Sequence, residues 1–176
     1  MESMDFKSFD FQNCYILCIC EGNTEMAIMD TLLDNGLLLF DRDVLIDNKV
    51  HRIRNSKKII EKFLQFDYSK AVLIFRIIDS KKERFNLKKP YDKYDVYNFY
   101  TRNEIEYIHI CYDGYLDEYN KVKSKTKASL FYLSKNKDYK KSYEYSKNYF
   151  KDLQKLRDSL KQAKVPNEYG LYDLLS

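Results

Sequence analysis

Glycine and proline are scarce, four and two in 176 residues, and the motifs built on glycine are missing with them. Four glycines leave neither a phosphate-cradling Gly-rich loop nor a dinucleotide fingerprint. His51 and His109 are the only histidines, and each lies alone rather than beside a Cys or Ser nucleophile, so no Ser-His-Asp or Cys-His arrangement can be argued. No apolar run approaches the roughly 18 to 20 residues that cross a bilayer. The opening Met1-Glu2-Ser3-Met4-Asp5-Phe6 lacks a basic segment followed by an apolar one, so a cytoplasmic protein without a membrane partner is expected. Three of the four cysteines, Cys14, Cys18 and Cys20, share one segment and Cys111 sits in another. That spacing matches neither a zinc knuckle nor a disulfide framework, and buried thiols are expected. The net charge is +4, from 31 basic and 27 acidic residues, too small for the footprint of a strongly basic nucleic-acid binder.

What is present points to a packed globular chain. Hydrophobic residues make up 44%, with 17 Tyr and 11 Phe, enough to bury a sizeable core in one domain spanning residues 1–176. There is no internal repeat and no interdomain linker. Lys, Asn, Tyr and Ile are abundant, the bias of an AT-rich coding sequence.

Cys14-Tyr-Ile-Leu-Cys-Ile-Cys20 is continuously apolar, as a strand covered on both faces must be. It stops at Glu21. Gly22 can take a positive φ, Asn23 or Thr24 can cap the next helix, and Glu25 falls in its first turn, where the helix dipole favours an anion. The helix carries Met26, Ile28, Met29, Leu32 and Leu33 and stops at Asp34-Asn35-Gly36. Asp41–Ile46 is a short second strand or an ordered loop leading to one. Ser56 opens a helix with Ile59, Ile60, Phe63 and Leu64 inward and Lys57, Lys58, Glu61 and Lys62 outward. A second apolar run, Ala71–Ile78, also ends in an acid, Asp79. Within it Arg76 needs a carboxylate partner if buried, or else faces the open edge of the sheet. Tyr94–Tyr100 is a further strand. From Thr101 the pattern is helical, with further helices over 115–123, 127–135 and 142–163. The last is expected to be one long helix with a stripe of Tyr149, Phe150, Leu153, Leu156 and Leu160. The alternation of strand and helix predicts a mostly parallel, doubly wound α/β sheet with helices on both faces, residues 14–106 forming the core and 107–176 a helical C-terminal part.

Two parallel strands that each end in an acid place Glu21 and Asp79 on one sheet edge, the edge where open α/β sheets bind ligands. If the strands are neighbours, the two carboxylates suit Mg²⁺, which keeps part of its water shell and bridges to substrate phosphate. The bland alternative is a helix cap and a turn acid. A second candidate surface lies between Lys121 and Lys155. There Lys121, Lys123, Lys125, Lys127 and Lys135 accompany Tyr132, Tyr139, Tyr143, Tyr145 and Tyr149. Lysines neutralise phosphates and exposed aromatics stack on bases; the alternative is a solvated helical face with its tyrosines packed inward.

The run from the first strand through Glu21-Gly22 and Thr24-Glu25 into an apolar helix resembles the first motif of Toprim domains. Those are the metal-binding modules of topoisomerases, primases and OLD-type nucleases. Asp79-Ser80-Lys81 falls where such domains carry Asp-x-Asp, with Lys81 in place of the second acid. Lys81 then substitutes for the metal's charge, or Glu83 supplies the missing ligand. Asn103-Glu104-Ile105-Glu106 resembles the acid-bearing segment of OLD-type and RloB-like relatives. Glu106 is the better match because Ile105 is apolar and belongs in the core. Ser129 and Lys135 loosely resemble the Ser and Lys of the OLD pattern. The resemblance, over residues 14–106, implies a Rossmann-like fold and a Mg²⁺ site at Glu21, Asp79 and Glu106. It also implies phosphodiester cleavage of DNA or RNA, with Glu21 and Asp79 as the catalytic acids. The departure at Lys81 leaves open a second kind of protein: a degenerate module of phage, mobile-element or defence type that binds a protein or nucleic-acid partner without catalysis.

Overall fold

The structure, a computed structural model, describes residues 4–79, 85–102 and 104–176. The two apolar runs become neighbouring central strands. Strands β1 (Cys14–Cys20), β2 (His51–Arg52), β3 (Ala71–Ile78) and β4 (Asp95–Tyr100) form one all-parallel sheet in the order β2-β1-β3-β4. β1 and β3 pair over their full length, from Cys14 opposite Ala71 to Cys20 opposite Ile77. Every residue of β1 but Tyr15 is buried, because both faces of the sheet are covered.

The described helices are α1 (Asn23–Asp34), α2 (Ser56–Ile59, continuing as a π turn through Leu64), α3 (Glu106–Tyr112), α4 (Leu116–Val122), α5 (Ala128–Lys135), α6 (Tyr143–Tyr149) and α7 (Leu153–Ala163). On one face Ile16, Cys18, Phe75, Ile77 and Phe99 pack with the apolar sides of α1, α3 and α7. On the other, Leu17, Ile19, Val72 and Ile74 meet Ile59, Phe63 and Leu64. The α/β arrangement with helices on both faces therefore follows from the strand pattern. All four cysteines are buried free thiols. Among the described residues no helix is long and apolar enough to cross a membrane.

Three local expectations are refined. Asp41–Ile46 is the ordered loop rather than a strand: short 3-10 turns occupy Arg42–Val44 and Ile46–Asn48, and only His51 and Arg52 join the sheet. Arg76 is buried, donating to Asn98 Oδ1 at 3.0 Å across the β3–β4 register, with its guanidinium 4.1 Å from the Phe85 ring centre. An amide and an aromatic face are thus among its partners, and it does not lie on an open edge. The helix expected over 142–163 is broken. Phe150 leaves helical dihedrals (φ −81, ψ 64) to bury its ring against His109 and Tyr112, and the Asp152 carboxylate accepts from Lys155 N at 3.0 Å to start α7 afresh. Burying a Phe, worth about 2 to 3 kcal/mol, together with a new N-cap of about 1 kcal/mol, outweighs a few uninterrupted helical bonds.

Candidate metal centre

Glu21 extends β1 by one residue, its N–H donating to Ile77 O at 3.0 Å. The Asp79 N–H donates to Glu21 Oε2 at 3.2 Å, so the two acids meet at the carboxyl edge of the two central strands. Burial comes first in pushing the Asp79 carboxyl up to about 6, followed by the Glu21 charge and a hydrogen bond between the two side chains. Arg54 reaches the same place, donating to Glu21 O at 2.9 Å and lying 3.4 Å from Glu21 Oε1.

A third carboxyl joins them. Gly22 is extended, with φ −131, so it is not there for a left-handed turn. Its value is space: a Cβ at this position would stand 2.5 Å from Glu25 Oε2. Glu25 folds back over the glycine and is 4% exposed, rather than projecting from the first turn as a dipole-facing surface acid. Burial pushes it up to about 7 against a hydrogen bond from its own backbone N–H, and the charges of Asp79 and Glu21 add to the rise.

A fold that raises a carboxyl from 4.5 to about 7 favours its protonated form. That contribution is fully present below about pH 4.5 and is lost as pH rises through about 7. His109 acts in the opposite sense: burial lowers it to about 4, so its contribution is lost as pH falls from 6.5 towards 4. The clean comparison is therefore wild type against Glu25→Gln. The variant should be more stable at pH 8, by up to about 3 kcal/mol, with the advantage gone near pH 4.5. Chemical denaturation at the two pH values measures it, and an equal difference at both would remove Glu25 as the titrating group.

Glu106, the first residue of α3, is 2% exposed. Its Oε1 accepts from Tyr139 Oη at 3.2 Å and forms an ion pair with Lys141 Nζ at 3.0 Å, while its Oε2 has no hydrogen-bond partner among the described residues. Lys141 also exerts a lowering field on Glu25 and Asp79, and Tyr139 feels the Glu25 charge. Glu106 therefore belongs to the same acidic neighbourhood, behind a Tyr-Lys screen. The screen is held there by α6, which docks on α1 through three contacts. Tyr143 Oη donates to Asp30 at 2.9 Å, Lys147 to Asp34 at 2.6 Å, and Ser146 Oγ to Thr24 Oγ1 at 3.2 Å.

The remaining candidates separate. Glu104 lies away from the acid pair, accepting from Ser129 N at 2.7 Å and Ser129 Oγ at 3.2 Å and so tying down the start of α5. Lys135 pairs with Glu118 at 2.6 Å. Lys121, Lys123, Lys125 and Lys127 are exposed at the end of α4 and the loop to α5. Two of the five tyrosines are turned inward, Tyr132 being fully buried and Tyr132 and Tyr149 both donating to Asp113, while Tyr139, Tyr143 and Tyr145 are half-buried. Ser80, Lys81, Glu83 and Asn103 lie outside the described residues. Sequence reasoning missed Arg54 and Lys141 and gave Tyr139 to the lysine-rich surface; the three reach the site from two loops, before α2 and between α5 and α6. It read Glu25 for its dipole alone, although the Glu-Gly-x-x-Glu spacing was visible.

No protein-family model matches the chain, and neither the curated proteins nor the solved structures contain a match to it. Among the described residues no three His, Cys, Asp or Glu side chains form a metal-holding group. Two carboxyls such as Glu21 and Asp79 would suit a lightly held, hydrated cation rather than a closed structural one. Mg²⁺ is commonly held by one or two carboxylates, its other positions filled by water and phosphate. Burial comes first in raising the Asp79 carboxyl and the Glu21 charge adds to it, and a cation at the pair would offset that charge.

Proposed function

We propose that the protein is a Toprim-like, Mg²⁺-dependent phosphodiesterase acting on nucleic acid, with Glu21 and Asp79 as the metal-holding and catalytic acids. The observation that carries this reading is the meeting of the two carboxyls at the carboxyl edge of β1 and β3. When bound, Mg²⁺ would supply Lewis-acid stabilisation of phosphate charge. The chain's own groups do the rest. Arg54 orients the Glu21 carboxylate, Glu25 holds a proton near neutral pH within reach of the pair's field, and Lys141 offers a positive charge beside Glu106. Glu21 is placed to accept a proton from an attacking water, its carboxyl fixed by the Asp79 N–H.

A second reading is favoured by Arg54 and Lys141, cations already standing among the acids. They partly fill the role of a metal, as they would in a module that binds a partner without catalysis. Calorimetry separates the two. The enzyme reading expects Mn²⁺ or Mg²⁺ to bind wild type near 1:1 and to bind neither Glu21→Gln nor Asp79→Asn. No heat of binding in wild type at millimolar metal, in the presence of an oligonucleotide, would leave the module.

A further inference from the structure

The loop between α4 and α5 carries Lys123, Lys125 and Lys127, and these line a cleft of about 520 Å³ together with Arg102, Glu104 and Tyr107. That size lies in the roughly 300 to 1,000 Å³ range of pockets that hold one compact ligand, enough for a nucleotide unit of a strand and too small for a duplex. Among the described residues none of the three lysines is in an ion pair, and only Lys123 has a side-chain partner, Asn120 at 3.1 Å. Three cations within five residues repel one another at one concave wall, and an anion relieves that repulsion. A fourth lining cation is fixed. Arg102 sits in the left-handed region (φ 71), donates to Ala163 O at 2.9 Å, and lies 4.6 Å from the Tyr107 ring centre. Its charge is therefore held in place with no carboxylate hydrogen-bonded to it among the described contacts. Glu104, which also lines the cleft, spends both oxygens on Ser129. The start of α5 is thereby already satisfied, and the attraction for an anion comes from the side-chain cations.

The cleft is joined to the acidic edge through Arg102. Thr101 N donates to Ile78 O at 3.0 Å, so the end of β4, which leads directly into Arg102, sits beside the end of β3, which leads into Asp79. We infer that this cleft is a phosphate-binding subsite for a single nucleic-acid strand, holding a phosphodiester next to the strand ends that carry the acid pair. The inference deepens the function proposed above and rests on it for the role of the strand as substrate. It also narrows the basic surface: Lys123, Lys125 and Lys127 contact phosphate, whereas Lys135 is spent on Glu118 and Lys121 does not line the cleft.

The test is fluorescence anisotropy with fluorescein-labelled single-stranded oligothymidine and its RNA counterpart, each over a range of salt. Wild type is compared with Lys123→Gln/Lys125→Gln/Lys127→Gln and with a control of equal charge change on α2, Lys57→Gln/Lys58→Gln/Lys62→Gln. The cleft variant should lose about tenfold or more in affinity at low salt for at least one of the two strands. Its log–log salt slope should become shallower by roughly 2, at about 0.7 per phosphate contact on single strands. The control should stay within about twofold. Equal losses in both variants, no binding by wild type at low salt, tighter binding of a duplex of the same length, or displacement of the strand by micromolar pyrophosphate would each overturn the inference. Binding is also measured in Glu21→Gln and Asp79→Asn without metal. Affinity should be retained there, and strand binding by wild type without any metal-dependent cleavage would defeat the enzyme reading while leaving the subsite standing.

Discussion

Asp79→Asn and Glu21→Gln should each reduce metal-dependent cleavage of single-stranded or plasmid substrates by on the order of 100-fold or more, while leaving the protein as stable as wild type or more so. The paired expectation comes from the same geometry. Two carboxyls that meet at a partly buried strand edge repel each other, which is why burial and the Glu21 charge push Asp79 up to about 6. Replacing one by its amide keeps size and hydrogen-bonding capacity and removes that repulsion, so the metal-free fold loses nothing and the thermal midpoint holds or rises by a few degrees. On the proposed reading, a bound cation would lose one of the two acids that hold it. A site acid that costs stability and supports activity behaves this way; a helix cap or turn acid does not, since its loss lowers stability without touching chemistry. Cleavage rates and melting curves on the same preparations decide between them. A variant that melts well below wild type at neutral pH would assign its acid to the fold.

The largest effect on stability should come from Phe75→Ala. Phe75 is fully buried at the centre of β3, with ring contacts to Phe6, Phe11, Phe40, Tyr97 and Phe99 at centroid distances of 5.0 to 6.2 Å. These partners come from the N-terminal turns, the loop after α1 and the neighbouring strand. A cavity there removes contacts that join segments distant in sequence, and none of the rings can close it without moving the sheet. The expected cost is about 3 to 5 kcal/mol, a fall in thermal midpoint of roughly 10 °C for a chain of this size. Phe66→Ala, at a residue 59% exposed, should change stability by no more than about 0.5 kcal/mol. Urea unfolding of both variants gives the comparison. Equal midpoints would mean that the aromatic cluster does not organise the core.

The fold class was legible because it depends on short-range pattern. Two continuous apolar runs, each closed by an acid, can be satisfied only by strands covered on both faces, and the intervening helices must then cross over in the right-handed sense. The strand limits at Cys14–Cys20 and the stop at Gly36, with φ 61, follow from residues within a few positions of each other. The start of α2 is equally local, with Asn55 Oδ1 accepting from Lys57 N at 2.8 Å. The break at Phe150 was not legible, because the helical stripe of 142–163 is locally sound and only the pocket formed by His109 and Tyr112 makes leaving it worthwhile.

The same division runs through the site. Sequence alone placed Glu21 and Asp79 at strand ends, since a strand's last residue and its direction are both local properties. That β1 and β3 are neighbours, with β2 displaced to the outside, was decided by tertiary packing. So was the gathering of Arg54, Glu25, Tyr139 and Lys141 around the acids. Single charged or aromatic residues in loops carry no periodic signal. Their meeting follows from α6 docking on α1 and from the space above a glycine that lacks a Cβ. Burial and charge are sums over the whole surroundings of a group, and so the same Glu25 that reads in sequence as an ordinary first-turn acid becomes a carboxyl that holds its proton to about 7 only once the chain has closed around it.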